Sequence, residues 1–259
     1  MSTMLELEYE SKFSIKDKER GLLEPSGLAF APDGSLWTVS DETKKLFQIN
    51  TKGELLAIID IDNQGLEGIT FDSEGRICVV NEEADKIIVY DPQTGDKITD
   101  QLLEDIEGFS VLEKHFEGDQ NKGLEGMTYD SLRSEMLLLK EAKPKLLITL
   151  TEKLDQVISV NHLDKQNGFS DKNTKSKKLD VSGMCYDAVL DLLWIVSDKA
   201  KRIYTFDRSR GCVIQNFALE YGKSDKKIKK AEGVAVDLES HYLYVVSDED
   251  AALYVYRIV

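Results

Sequence analysis

Three glutamates stand before a glycine in the same local setting. They are Glu67-Gly68-Ile69-Thr70-Phe71-Asp72, Glu125-Gly126-Met127-Thr128-Tyr129-Asp130 and Glu232-Gly233-Val234-Ala235-Val236-Asp237. Two further copies carry a serine there, Ser26-Gly27-Leu28-Ala29-Phe30 and Ser182-Gly183-Met184-Cys185-Tyr186-Asp187. Each copy is followed by a turn and a second apolar run that ends in an acid: Asp41, Glu82, Glu141, Asp198 and Asp248. Brought together, such carboxylates form a site of hard oxygen donors, which suits calcium first and magnesium second. No Cys or His cluster accompanies them, so a structural zinc is not indicated.

The elements that must position these residues follow from the repeat. Around Gly27 the chain reads as four short strands over 27–31, 35–40, 45–50 and 54–59, joined by turns at Pro32-Asp33-Gly34 and Thr51-Lys52-Gly53. Four antiparallel strands, repeated, describe a propeller blade. The second unit has a third strand over 86–90 and a fourth expected around 106–116, after an insertion. The repeat glycines are 41, 58, 57 and 50 residues apart, intervals too short to hide a further blade. The expectation is an all-β, five-bladed propeller spanning 1–259 as one domain, with six blades as the alternative. The last unit stops after its third strand, Leu253-Tyr254-Val255-Tyr256-Arg257, while an alternating stretch over 5–15 has no blade of its own. That N-terminal strand is expected to complete the last blade and close the ring, burying an otherwise open edge.

Antiparallel pairing puts the start of each first strand and the end of each second strand at the same end of the blade. The acid lies 14 residues past the glycine in the first two units and 15 past it in the others, where the first turn is one residue longer. The two acidic columns therefore stay in register at one mouth of a narrow channel. Two unit charges ~4 Å apart repel by about 4 kcal/mol at an effective dielectric of ~20. Crowded carboxylates must be protonated, paired with lysine or bridged by a metal. The plainer reading is that strand-end acids cap turns or pair with lysines, and it weighs most on the second column. The inner glutamates are the sharper candidates, because a glutamate at a narrow pore is expensive to place.

The formal net charge of -15 argues against a nucleic-acid or anionic-membrane partner. Cys78, Cys185 and Cys212 make no disulfide framework, and no apolar run reaches the length of a membrane span. The N-terminus has no basic and apolar leader, so the chain as given is expected in the cytoplasm, or outside it if a signal or anchor was removed, and as a monomer. There is no nucleophile elbow, phosphate-binding loop or His-Glu-x-x-His, and His115, His162 and His241 are scattered. Trp37 and Trp194 occupy matched second-strand positions and read as packing between blades.

The recurring Leu-Glu-Gly-Ile/Met-Thr-Tyr/Phe-Asp, followed by Asn81-Glu82-Glu83, Lys140-Glu141 or Ser247-Asp248-Glu249, resembles the SdiA-regulated (YjiK-like) β-propeller family. The resemblance runs from about residue 20 to the end. It implies a propeller linked to calcium, with phytase-like or esterase-like propellers as distant relatives, and no settled reaction. A weaker likeness runs to gluconolactonase-type propellers.

Three functions are therefore open. The first is a calcium-binding module for binding or signalling, with a small anionic ligand or a protein as partner. The second is a metal-dependent hydrolase of phosphate esters or lactones, with Glu125 as base. Its anionic substrate would be held by two lysine-rich loops on the carboxylate face, represented by Lys177 and Lys178 and by Lys229 and Lys230. The third is a protein-binding scaffold with neither ion nor chemistry.

Overall fold

The computed structural model describes residues 4–117, 123–141, 143–175, 178–224 and 226–259. Its strands fall into five four-stranded antiparallel sheets arranged as a ring. After β1 (Leu7–Ser14), blade 1 is β2 (Pro25–Phe30), β3 (Leu36–Ser40), β4 (Lys45–Ile49) and β5 (Leu55–Asp60). Blade 2 is β6 (Leu66–Phe71), β7 (Ile77–Asn81), β8 (Lys86–Tyr90) and β9 (Lys97–Leu102). Blade 3 is β10 (Leu124–Asp130), β11 (Glu135–Lys140), β12 (Leu146–Thr151) and β13 (Val157–His162). Blade 4 is β14 (Gly183–Asp187), β15 (Leu192–Ser197), β16 (Arg202–Asp207) and β17 (Cys212–Ala218). A small hairpin of β18 (Glu220–Tyr221) and β19 (Lys226–Lys227) leads into β20 (Ala231–Asp237), β21 (Tyr242–Ser247) and β22 (Ala252–Ile258). Blade 5 takes its fourth strand from the other end of the chain, because β1 pairs antiparallel with β22 from Leu7↔Ile258 to Ser14↔Ala252. A five-bladed propeller closed by its N-terminal strand is what the repeat predicts.

One strand differs from expectation. The fourth strand of blade 2 is β9, directly after the turn at 92–95, and 106–116 instead contains short helical turns. β9 reads weakly because an outer strand has little to bury: Lys97 and Ile98 are exposed. The apolar residues downstream serve another purpose. Leu103, Ile106 and Leu112 pack between blades 2 and 3. Flat sheets set radially diverge outward, and this insertion fills the wedge. Phe169 and Leu179 do the same between blades 3 and 4, and Leu219 and Ile228 between blades 4 and 5.

The core is accordingly divided into five apolar clusters, one at each blade interface. Trp194 is fully buried in the cluster between blades 4 and 5, and Trp37 meets Phe71 edge-on between blades 1 and 2. Cys78 and Cys185 are buried within it. Closure is fastened by Lys12 on β1, whose ammonium lies 2.8 Å from Asp250 and about 5 Å from the ring centres of Tyr221 and Tyr254.

At the axis the inner strands meet backbone to backbone. A Cβ on Gly68 would sit 2.6 Å from the Met127 nitrogen, and one on Gly233 would sit 2.7 Å from the Gly27 carbonyl carbon. Gly27 faces the Glu67 carbonyl, Gly126 faces Gly183, and Gly183 faces the Glu232 carbonyl. The five repeat glycines thus form a closed girdle, and only a void of about 10 Å³ remains on the axis there. Gly183→Ala should overpack this girdle, at a cost of roughly 1–3 kcal/mol. The melting temperature should then fall by about 2–4 °C per kcal/mol. A variant that melts with the parent in differential scanning calorimetry would show that the girdle yields.

Candidate cation site at the carboxylate mouth

The glutamates owe their aim to an irregularity in the sheet. The register between first and second strands slips between Leu66 and Ile69, between Leu124 and Gly126, and between Ala231 and Gly233. The corresponding slip in blade 1 lies between Pro25 and Leu28. Each slip is a β-bulge at the Glu-Gly or Ser-Gly step. A bulge bends the strand and redirects a side chain. The glycine is required because the next blade's backbone occupies the place of its Cβ. The residue before it is left facing the mouth.

Glu67, Glu125 and Glu232 line one cavity of about 190 Å³ together with Ser26, Ser182, Asp41, Glu141, Asp180, Asp248 and Lys199. All three glutamates are closely surrounded by protein while keeping a sliver of surface open to the cavity. Among the described residues none of them has an ion pair with Lys or Arg. Burial is the main reason that each holds its proton more tightly than an ordinary glutamate. Glu67 is pushed up to about 8 by burial and then by the charges of Asp41 and Glu82, against a hydrogen bond from Ser26. Glu232 is pushed up to about 9 by burial and by Glu67, Asp198 and Asp248. Glu125 is raised well above the usual range by burial and by Glu67, Glu82, Glu141 and Glu232. Its carboxyl lies beside that of Glu82, whose own proton affinity it lowers.

The second column divides. Asp41, Glu141 and Asp248 line the cavity, and Glu82 bonds with Glu125 and accepts from the Gly123 amide. Asp198 is turned to lysines, with Lys201 at 2.5 Å and Lys199 at 3.5 Å. Asp248 also pairs with Lys230 at 2.6 Å. Asp41 is held up by burial, and one of its buried oxygens, Oδ1, has no hydrogen-bond partner. Of the loop lysines, Lys229 pairs with Glu249 at 2.6 Å, Lys178 is exposed, and Lys177 lies outside the described residues.

Some residues at this mouth escape the column pattern. Asp180 and Glu24 both sit three positions before a repeat glycine. Asp180 accepts from the Ser197 hydroxyl at 2.6 Å and from the Lys199 amide at 3.0 Å. Glu24, Asp41 and Glu42 bring carboxylate oxygens within 4.8 Å of one another. The alignment on glycine would have shown position -3, but it carries Gly65, Gly123 and Lys230 in the other blades, so no column of acids stands out. At the opposite end, the acid that closes each motif is a turn cap. Asp72, Asp130, Asp187 and Asp237 each accept two backbone N–H groups of the turn that follows.

Fold and mouth together define a five-bladed β-propeller with a buried acidic bowl at one end of its axis. The chain belongs to the SdiA-regulated family, whose model matches residues 3–257. Among solved structures it is similar to the glutaminyl cyclase of Myxococcus xanthus. That match has 10% identity and a TM-score of 0.65, and covers 97% of this chain and 96% of that one. It is also similar to the PQQ-bound aldose sugar dehydrogenase of Streptomyces coelicolor, with 11% identity, a TM-score of 0.56 and 99% of each chain covered. At such identities the likeness is one of fold.

The raised carboxyls carry a consequence for stability. Without a cation, folded Glu67 and Glu232 keep protons up to about pH 8 and 9, whereas in the unfolded chain they release them near 4.5, as an ordinary glutamate does. The folded state binds more protons across that window, so stability must fall as pH rises through it. In chelator, the melting temperature should drop by several degrees between pH 5.5 and 9, and Glu67→Gln should flatten the slope. A melting temperature that holds level or climbs would mean that the three charges are already compensated.

Proposed function

We propose that the carboxylate mouth binds a divalent cation, calcium in preference to magnesium, and that the protein works as a cation-dependent binding module. The observation behind this reading is the convergence of Glu67, Glu125 and Glu232, none of them in an ion pair among the described residues, on one 190 Å³ cavity that also holds Lys199. The donor set fits the ion. Carboxylates and the Ser26 and Ser182 hydroxyls are hard oxygens, and the buried, unpartnered Asp41 Oδ1 adds another at the same wall. Calcium is favoured because it accepts six to eight oxygens in loose geometry, whereas magnesium demands a tight octahedron and keeps its waters. When bound, the ion would take over the work that protons do in its absence, neutralising Glu67, Glu125 and Glu232.

The hydrolase reading is less well supported. For phosphate esters it needs cationic side chains to hold the anion, and Lys229 and Lys230 already pair with Glu249 and Asp248. A module that presents a bound ion to a partner's carboxylate or phosphate needs no such lysines.

Calcium at a hundred times its Kd should stabilise the fold by about 2.7 kcal/mol. At pH 8 that is a rise in melting temperature of roughly 5–10 °C. Magnesium should give less, and Glu67→Gln/Glu125→Gln/Glu232→Gln should abolish the response. Titration calorimetry provides the independent check, with one bound calcium and affinity increasing from pH 6 to pH 8. Identical melting curves in calcium and in chelator would rule the proposal out.

A further inference from the structure

A second cavity lies away from the acidic mouth. It opens at the other end of the axis, holds about 420 Å³ and takes lining from all five blades. Its wall is set by one position, three residues past each repeat glycine: Phe30, Phe71, Tyr129, Tyr186 and Val236. Four of the five are aromatic. They are held from behind. Phe30 stacks on Tyr244, with ring centres 6.0 Å apart, and Phe71 meets Trp37 edge-on. The Tyr129 hydroxyl donates to Glu152 at 2.8 Å, and the Tyr186 hydroxyl donates to Asp191 at 2.7 Å. The polar ends of both tyrosines are thereby committed to the protein.

We propose that this lower bowl is a second ligand site, and that it takes an uncharged, flat aromatic molecule. The volume lies within the ~300–1,000 Å³ of small-molecule pockets, and such pockets are concave and mostly apolar, as this one is. Fixed aromatic side chains favour offset or edge-on contact with another ring. The charge of the lining decides the rest. Among the described residues no lysine, arginine or histidine borders the cavity, and its carboxylates are Asp237 and Glu239. An anionic ligand would be desolvated without a counter-ion and set beside like charge. Asp237 is already occupied by its own turn and Glu239 is exposed to water, so neither offers a firm anchor for a cation. The glycine girdle separates the two mouths, leaving a void of about 10 Å³ between them, barely the room for one water. The lower site is therefore independent of the cation reading.

The probe is N-phenyl-1-naphthylamine, a neutral aromatic fluorophore, titrated against the whole chain. The expected result is saturable binding of one molecule, at least tenfold tighter than that of the sulfonated anilinonaphthalene of similar shape. Ala188→Trp, which fills the bowl from its lip, should weaken the neutral probe at least tenfold. Ser131→Trp, on an exposed turn at the same lip, serves should that variant not fold. Glu125→Gln and calcium should leave the affinity within twofold. Equal binding of the sulfonate would overturn the proposal. So would a loss of binding in Glu125→Gln with none in the tryptophan variants. A dimer in sedimentation that Ser131→Trp dissociates would give the bowl to a second copy of the chain instead.

Discussion

The constraint on which the structure turns is the contact of five backbones around one axis. At Gly27, Gly68, Gly183 and Gly233 the neighbouring backbone leaves no room for a side chain, and at Gly126 a Cβ would be tight, 3.3 Å from the Gly183 Cα. Backbone atoms at such distances leave the axis nearly solid, and two consequences follow. The sheets cannot slide along each other, so the positions before and after the glycine are fixed in rings. The channel cannot conduct, so the molecule has two separate mouths rather than a pore. The five interblade clusters then stabilise an arrangement whose radius the glycines have already set.

The chemistry of each mouth is a matter of offset from that girdle. One residue before it, the bulge turns Glu67, Glu125 and Glu232 inward and upward. Three residues after it stand Phe30, Phe71, Tyr129 and Tyr186. One more step reaches the aspartates that cap the first turn. The same seven-residue motif therefore writes a polar bowl, a closed waist and an apolar bowl in order along the axis. The acids of the motif are not equivalent. Asp130 is saturated by turn amides and by Arg133 at 2.8 Å, while Glu125 forms no ion pair among the described residues and burial makes it hold its proton tightly. Burial is common to both; what differs is whether the protein supplies donors.

Much of this was legible in the sequence because it is periodic. The repeat gave away blade number, ring closure by residues 5–15, and the end of the ring at which Glu67, Glu125 and Glu232 gather. What escaped was aperiodic. β9 was missed since an outer strand buries only one face and needs no apolar alternation, and the apolar run that drew attention at 106–116 is a wedge between blades. Glu24 and Asp180 were missed because their shared position holds glycine in blades 2 and 3. Spacing also could not tell which acids meet lysine. Asp198 and Asp248 look alike in the repeat and both meet a lysine, yet Asp248 also lines the cavity and Asp198 does not.

The departure from fivefold symmetry is itself an argument about charge. A strict repeat would place five glutamates at the mouth. Two of the five positions carry serine instead, and both serines are used. Ser26 donates to Glu67, and Ser182 donates to the Ala231 carbonyl at 2.7 Å. The three inner glutamates already share the cavity with Asp41, Glu141, Asp180 and Asp248, with Lys199 beside them. Two more glutamates would add further repulsion in a space of low dielectric. Hydroxyls at the remaining positions supply neutral oxygens without adding repulsion. The ring is thus acidic enough to hold protons tightly, and the two serines keep it from being more so.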